Sequence, residues 1–302
     1  MLPVPLPPTI ERLRRVVESD VKGLLAAQPL PPEWFRRTED DPGLFDSDAA
    51  VWRVHADRAG LIGGLRALLL QTLHPLAMAG VAGHSDYRHD PWGRLQRTGA
   101  FIAVTTYGST SAAEAAIDRV RRIHDRVTGT APDGRPYRAN DPHLLAWVHL
   151  TEVDSFLRAF ERYGSGRLTS QEADRYVAEM GEIGARLGVP EPPRTRADLR
   201  RALHEFRPEL HAGRQAREAV RFLLWPPLPA YLRPAYGVLT AAAVGLLPGY
   251  ARRELRILVA PLSDPLVVRP AAKVILAALG LTLGSRPPAL ELAERNGSTD
   301  PA

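Results

Sequence analysis

The chain of 302 residues contains no cysteine. That excludes disulfides, thiolate-held zinc, cysteine-bound iron–sulfur clusters, thiolate-ligated heme and a cysteine nucleophile. Any metal must be held by His, Asp, Glu, Tyr or another ligand without a thiol. Lysine is nearly absent, at Lys22 and Lys273 only, so arginine carries the positive charge. No run of about eighteen uncharged apolar residues occurs, which argues against a spanning helix. The nearest stretch, Ala235 to Leu247, ends at Pro248-Gly249 and has the length of a buried core helix. Gly-x-Ser-x-Gly and Gly-rich phosphate loops are also missing, which removes the usual serine-hydrolase and nucleotide-binding signatures.

A net charge of +5 could signal a nucleic-acid partner, but the arginines are interleaved with acids rather than clustered, and no nucleic-acid binding is expected. The first residues, Met-Leu-Pro-Val-Pro-Leu-Pro-Pro, have neither a basic region nor an apolar one, so no signal peptide and a cytoplasmic location are expected.

Helical periodicity accounts for nearly everything after the prolines. A helix is expected over Ile10–Ala27, then an apolar one over Gly60–Gly80 that Pro75 should kink or break. Asp90-Pro91 starts a helix reaching Tyr107, and Ser111 with Glu114 forms a capping-box pattern for a helix over Ala112–Thr128. Gly129–Tyr137 reads as a turn-rich loop, and Asp141-Pro142 starts a helix reaching Tyr163. Further helices are expected at Ser170–Leu187, capped by Ser170, at Thr195–Leu210, disturbed near Pro208, and at Ala212–Leu224, Ala235–Leu247, Tyr250–Leu258 and Ala271–Leu281. A mobile tail should begin near Asn296. No alternating strand pattern is evident. The expectation is an all-α chain with a single domain of roughly ten to twelve helices. Its core would span residues 49–260, preceded by a proline-rich segment and helix (1–48) and followed by a helix and tail (261–302).

Six of the nine histidines fall between Leu68 and Leu150. Arg94 and Thr98, with Arg97, share one helix face at i, i+4 and i+3, and two guanidinium groups beside a hydroxyl suit binding of carboxylates or oxygen species. The bland alternative is a solvated face with surface ion pairs. His124 lies on an apolar stripe with Ile117, Val120 and Val127. That position fits either a core histidine or a ligand with apolar walls, as an axial heme histidine requires. His149 and Glu152, at i and i+3, could supply two metal ligands, but a diiron bundle needs two such pairs in the opposite order and two more glutamates. His74-Pro75 and His84-Ser85-Asp86 are ambiguous, while His55, His89 and His143 call for no functional role.

Taken together, His74-Pro75, His84-Ser85-Asp86, Asp90-Pro91-Trp92-Gly93-Arg94-Leu95-Gln96-Arg97-Thr98, His124, Tyr137, Asn140-Asp141-Pro142, Trp147-Val148-His149 and Leu246-Leu247-Pro248 resemble the latex-clearing protein (rubber oxygenase) and mpaB-like oxygenase family over about Ala50 to Leu258. The resemblance implies a helical, globin-like core holding heme b, with His124 as axial metal ligand and Arg94 and Thr98 on the opposing side. His149, His74 and His84 would support the cofactor pocket. The partners it implies are dioxygen and a small, apolar or terpenoid-like substrate. Arg97 stands where the family has a lysine that can bind the iron. A guanidinium stays protonated, which argues against a lysine-closed resting state and against polyisoprene as substrate. Two other readings stay open: a heme or small-ligand binder without turnover, and a non-heme metal enzyme using His74, His84, His149 and Glu152.

Overall fold

The structure, a computed structural model, describes residues 30–85, 90–258, 264–283 and 288–297, with isolated residues between 15 and 24. The helix expected over Ile10–Ala27, along with Asp86 and His89, lies wholly or mostly outside these residues. The chain is all-α as expected, with one small exception.

Helix starts follow local chemistry closely. Helices α1 (Ala50–Ala56) and α2 (Gly60–Gln71) precede α3 (Pro75–His84). Pro75 breaks the expected Gly60–Gly80 helix outright, because it sits at the first turn of α3, where its missing N–H costs nothing. The axes of α2 and α3 differ by 107°. Asp90 caps α4 (Pro91–Tyr107) by accepting from the Gly93 amide at 2.9 Å. Asp141 caps α6 (Pro142–Tyr163) in the same manner.

Between them α5 (Thr110–His124) begins two residues earlier than expected. Its cap is Ser109 rather than Ser111, whose hydroxyl turns to Asp41 instead. Likewise Thr169, not Ser170, caps α7 (Ser170–Leu187), closing a full capping box with Glu172. The chain then forms α8 (Arg196–Glu205), a 3-10 turn Arg207–Glu209 set by Pro208, α9 (Arg214–Leu224), α10 (Arg233–Gly245) and α11 (Gly249–Glu254). After a π-turn at Asp264–Val268 come α12 (Arg269–Leu283) and α13 (Pro288–Gly297). Helix α13 buries Ala289, Leu290 and Ala293 toward α4 and the Pro32–Phe35 turn, and the tail expected from near Asn296 lies, past Gly297, outside the described residues.

The exception is a two-stranded antiparallel ribbon, β1 (Thr128–Thr130) with β2 (Pro136–Arg138), in the stretch expected to be a loop. Three-residue strands are too short to show an alternating pattern. Gly129 is required there, since a Cβ would collide with the Tyr137 hydroxyl.

The core is organised around α6, which buries residues on nearly every side, including Trp147, Leu150, Val153, Leu157 and Phe160. Its closest partner is α2, and their approach depends on Gly63, where a Cβ would meet the Phe156 backbone at 3.0 Å. A smaller cluster of Ala59, Ile62, Ala159, Tyr163, Leu239, Ala242 and Ala272 joins α10 and α12 to this pair. No single described helix is long and apolar enough to cross a membrane; α2 and α3 have the length and composition only as a sharply bent pair.

Candidate functional site

Helices α4 and α5 are joined by a short turn at Gly108-Ser109 and contact each other. With about 1.5 Å of rise per residue, Arg94 and His124 each lie roughly 20 Å along their helix from that turn. Arg94, half-buried, donates from Nη1 to Ser85 Oγ at 2.8 Å, which ties α4 to the end of α3. One turn later Thr98 donates its hydroxyl to the Arg94 carbonyl at 3.1 Å. Arg97 points elsewhere: it is 66% exposed and paired with Asp90 at 3.0 Å. Together with the Gly93 amide, Arg97 holds the Asp90 carboxyl below the usual range.

His124 is half-buried on the stripe that carries Ala113 and Ile117, whereas Ile123 is exposed and leaves that stripe. Burial lowers its pKa, with Asp125 opposing, so the ring is neutral at pH 7. No described residue hydrogen-bonds that ring. His84, at the end of α3, points Nε2 at the Thr128 carbonyl (3.0 Å) and lies edge-on to Tyr137. A carbonyl only accepts, so Nε2 is the donor in that bond. Ser85 thus links Arg94 to the end of α3, and His84 links that end to the ribbon, which begins four residues after His124; this junction is the α3–α5 corner.

His149 and His74 lie apart from that corner. His149 is buried on α6 against α7, close enough to Gly184 that a Cβ there would stand 2.8 Å from its ring. Burial drives its pKa down to about 4, and its Nε2 has no partner. One turn on, desolvation pushes the Glu152 carboxyl up to about 7. The same α6–α7 seam receives Tyr176, whose buried hydroxyl is unpartnered and feels the Glu152 charge, and His55 from α1. His55 bonds Thr106 Oγ1 through Nδ1 at 2.8 Å, leaves Nε2 unpartnered, and has its pKa lowered by burial to about 3. Nothing in the periodicity of α1 distinguishes His55 from an ordinary core residue, so sequence reasoning passed over it and Tyr176.

His74 is 1% exposed and caps α3 through Nδ1. Trp147 and Phe206 pack on its ring, and its Nε2 faces Glu209. A separate open cleft of about 210 Å³ is lined by Arg66, Asp154, Arg158, Arg200, Arg207 and Tyr250, among others, and none of the residues expected from the sequence enters it.

Two relatives match over 148 residues at 30% identity, covering 46% of this chain and 57% of theirs: uncharacterized proteins of Mycobacterium tuberculosis and Mycobacterium bovis. The match therefore spans little more than half the length of those curated relatives, and their names assign no activity. No solved structure matches the chain. A family model is more informative, because it covers residues 52–277, from α1 into α12, and so takes in the α3–α5 corner and the α6–α7 seam. Its description is "ER-bound oxygenase mpaB/B'/Rubber oxygenase, catalytic domain". With most of its length matched, this chain belongs to the mpaB/rubber oxygenase catalytic-domain family.

Proposed function

We propose that the chain is a heme-b oxygenase acting on a small apolar substrate at the α3–α5 corner, with His124 as axial ligand. The observation that carries this reading is the His124 ring itself. It is neutral, half-buried beside partly buried Val120 and Val127, and bonded to no described residue. Those properties fit the heme requirement for an uncharged imidazole with a free nitrogen lone pair and apolar flanks. A heme held there would supply the redox-active iron that reacts with dioxygen.

The protein's own groups supply orientation. Arg94, which donates to Ser85, brings a positive charge to the corner that attracts an oxygen atom of dioxygen or substrate. Thr98 stands on the same helix face and can donate its hydroxyl once it leaves the Arg94 carbonyl. Arg97 stays on Asp90 and keeps its positive charge, so it does not replace the family's lysine as an iron ligand. His84 lines the corner, held there by its bond to the Thr128 carbonyl. His149 and His74 act at a distance, as packing groups behind it.

The test is dioxygen uptake by the heme-loaded chain with apolar alkenes of terpenoid size. Arg94→Ala should lower substrate-dependent uptake by about tenfold, equivalent to about 1.4 kcal/mol, while heme occupancy is unchanged. Uptake that is absent in the parent chain, or indifferent to Arg94, would overturn the proposal.

A further inference from the structure

A second group of donors lies outside the α3–α5 corner. His74, at the α2–α3 break, His143, in the first turn of α6, and Glu209, in the 3-10 turn after α8, place three ligand atoms within 4.8 Å of one another. Glu209 Oε2 stands 2.9 Å from His143 Nε2 and 3.4 Å from His74 Nε2. A hydrogen-bonded ion pair accounts for His143 and Glu209 alone. His74 is a fully buried side chain whose Nε2 is aimed into the group, and its 3.4 Å approach to Glu209 lacks hydrogen-bond geometry. A buried imidazole nitrogen left unsatisfied costs free energy unless something fills the place before it.

From this geometry we propose that His74, His143 and Glu209 form a binding site for a divalent first-row transition-metal ion, with three protein ligands and a remaining position open to solvent. Two imidazoles and one carboxylate are the donor set of catalytic zinc and non-heme iron sites. Two donors each about 2.1 Å from a tetrahedral ion lie about 3.4 Å apart, which is the His74–Glu209 spacing. The His143–Glu209 pair must open by a few tenths of an ångström.

Packing holds the three ligands in addition to the His143–Glu209 bond. Phe206 stacks on the His143 ring at 4.4 Å and Trp147 tilts against His74. The His211 amide donates to the Leu73 carbonyl at 2.8 Å, which pins the Glu209 turn beside the α2–α3 break. Exposure of His143 and Glu209 leaves an entry path for the ion. Arg135, the nearby cation, is neutralised by Asp133 at 2.8 Å. Coordination through Nε2 places the His74 proton on Nδ1. The cap bond from the Ala77 amide is then given up, and at 3.5 Å it is a weak one.

The full chain, freed of metal by chelation and without heme, is titrated with Zn²⁺ by calorimetry and with Co²⁺ by visible absorption. The expected result is one equivalent per chain, with affinity reduced at least tenfold in His143→Ala and in Glu209→Gln. Both substituted positions are part-exposed, and unchanged helical circular dichroism verifies that the variants fold. His124→Ala should bind Zn²⁺ as the parent does, which separates this site from the heme reading. Failure of the parent chain to bind stoichiometrically, or binding unaltered in both ligand variants, would overturn it, as would loss of Zn²⁺ binding in folded His124→Ala.

Discussion

Asp154→Asn will destabilise the folded chain by about 3–5 kcal/mol, because it removes one member of a buried ion pair and leaves the other charged. Arg66 is 2% exposed, and each guanidinium nitrogen is used: Nη2 on Asp154 at 2.7 Å, Nη1 on Ser155 Oγ at 2.6 Å, and Nε on the Leu246 carbonyl at 3.0 Å. Burial lowers the Arg66 pKa and the Asp154 charge opposes that shift, so the carboxylate is what makes a buried guanidinium tolerable. Asp154 also receives Arg158 at 2.8 Å, and the group ties α2 to α6 and to the end of α10. Urea unfolding followed by circular dichroism measures the loss. A double variant with Arg66→Met should recover part of it, because the only charge then left without Asp154 is that of the half-exposed Arg158. A loss below about 1 kcal/mol in Asp154→Asn would mean that the pair is hydrated and does not organise the α2–α6 contact.

Glu152→Gln will stabilise the chain increasingly as pH rises from about 4.5 to above 7, by at most about 3 kcal/mol. Burial holds the Glu152 carboxyl at about 7, against an ordinary 4.5, so across that interval the folded state keeps a proton that the unfolded state has released. Its contribution is complete below the unfolded value and is lost as pH climbs through 7. His149 and His55 behave oppositely. Their folded values of about 4 and 3 lie below the ordinary 6.5, so their contribution is complete above 6.5 and disappears as pH falls. The parent chain should therefore be most stable near pH 6.5 and weaken on both sides. In Glu152→Gln the alkaline decline should vanish and the acid one persist. Unfolding midpoints in urea between pH 5 and 8 read this directly; a difference between variant and parent that does not change with pH would contradict it.

Much of the fold was legible because the signals were local. Asp90-Pro91, Asp141-Pro142 and Pro75 each pair a side-chain acceptor with a fixed φ, and a helix begins at each. The i, i+4 spacing of Arg94 and Thr98 put them on one face, and Arg97 at i+3 was close enough to Asp90 to be drawn away. Where two nearby residues could cap, a further partner decided the choice: Glu172 closed the box on Thr169 rather than Ser170. Asp41 took Ser111.

The site was less legible, for a physical reason. His143 and Glu209 are separated by 66 positions and meet only because the chain after α8 folds back on the α2–α3 break. His143 lies at the exposed start of a helix, where no apolar stripe marks it, and it was set aside. His55 and Tyr176 were invisible for the same reason: an unpartnered atom in a helix seam depends on which helices cross there. The histidine cluster between Leu68 and Leu150 thus divides by packing into a corner around His124, a seam around His149 and a triad around His74.

The central claim is that His124 ligates heme, and the absorption spectrum of the hemin-reconstituted chain tests it most directly. The parent chain should hold one heme with a strong Soret band, His124→Ala should lose both band and occupancy, and His149→Ala should retain them. A His124→Ala variant with an unchanged Soret band and full occupancy would contradict the account.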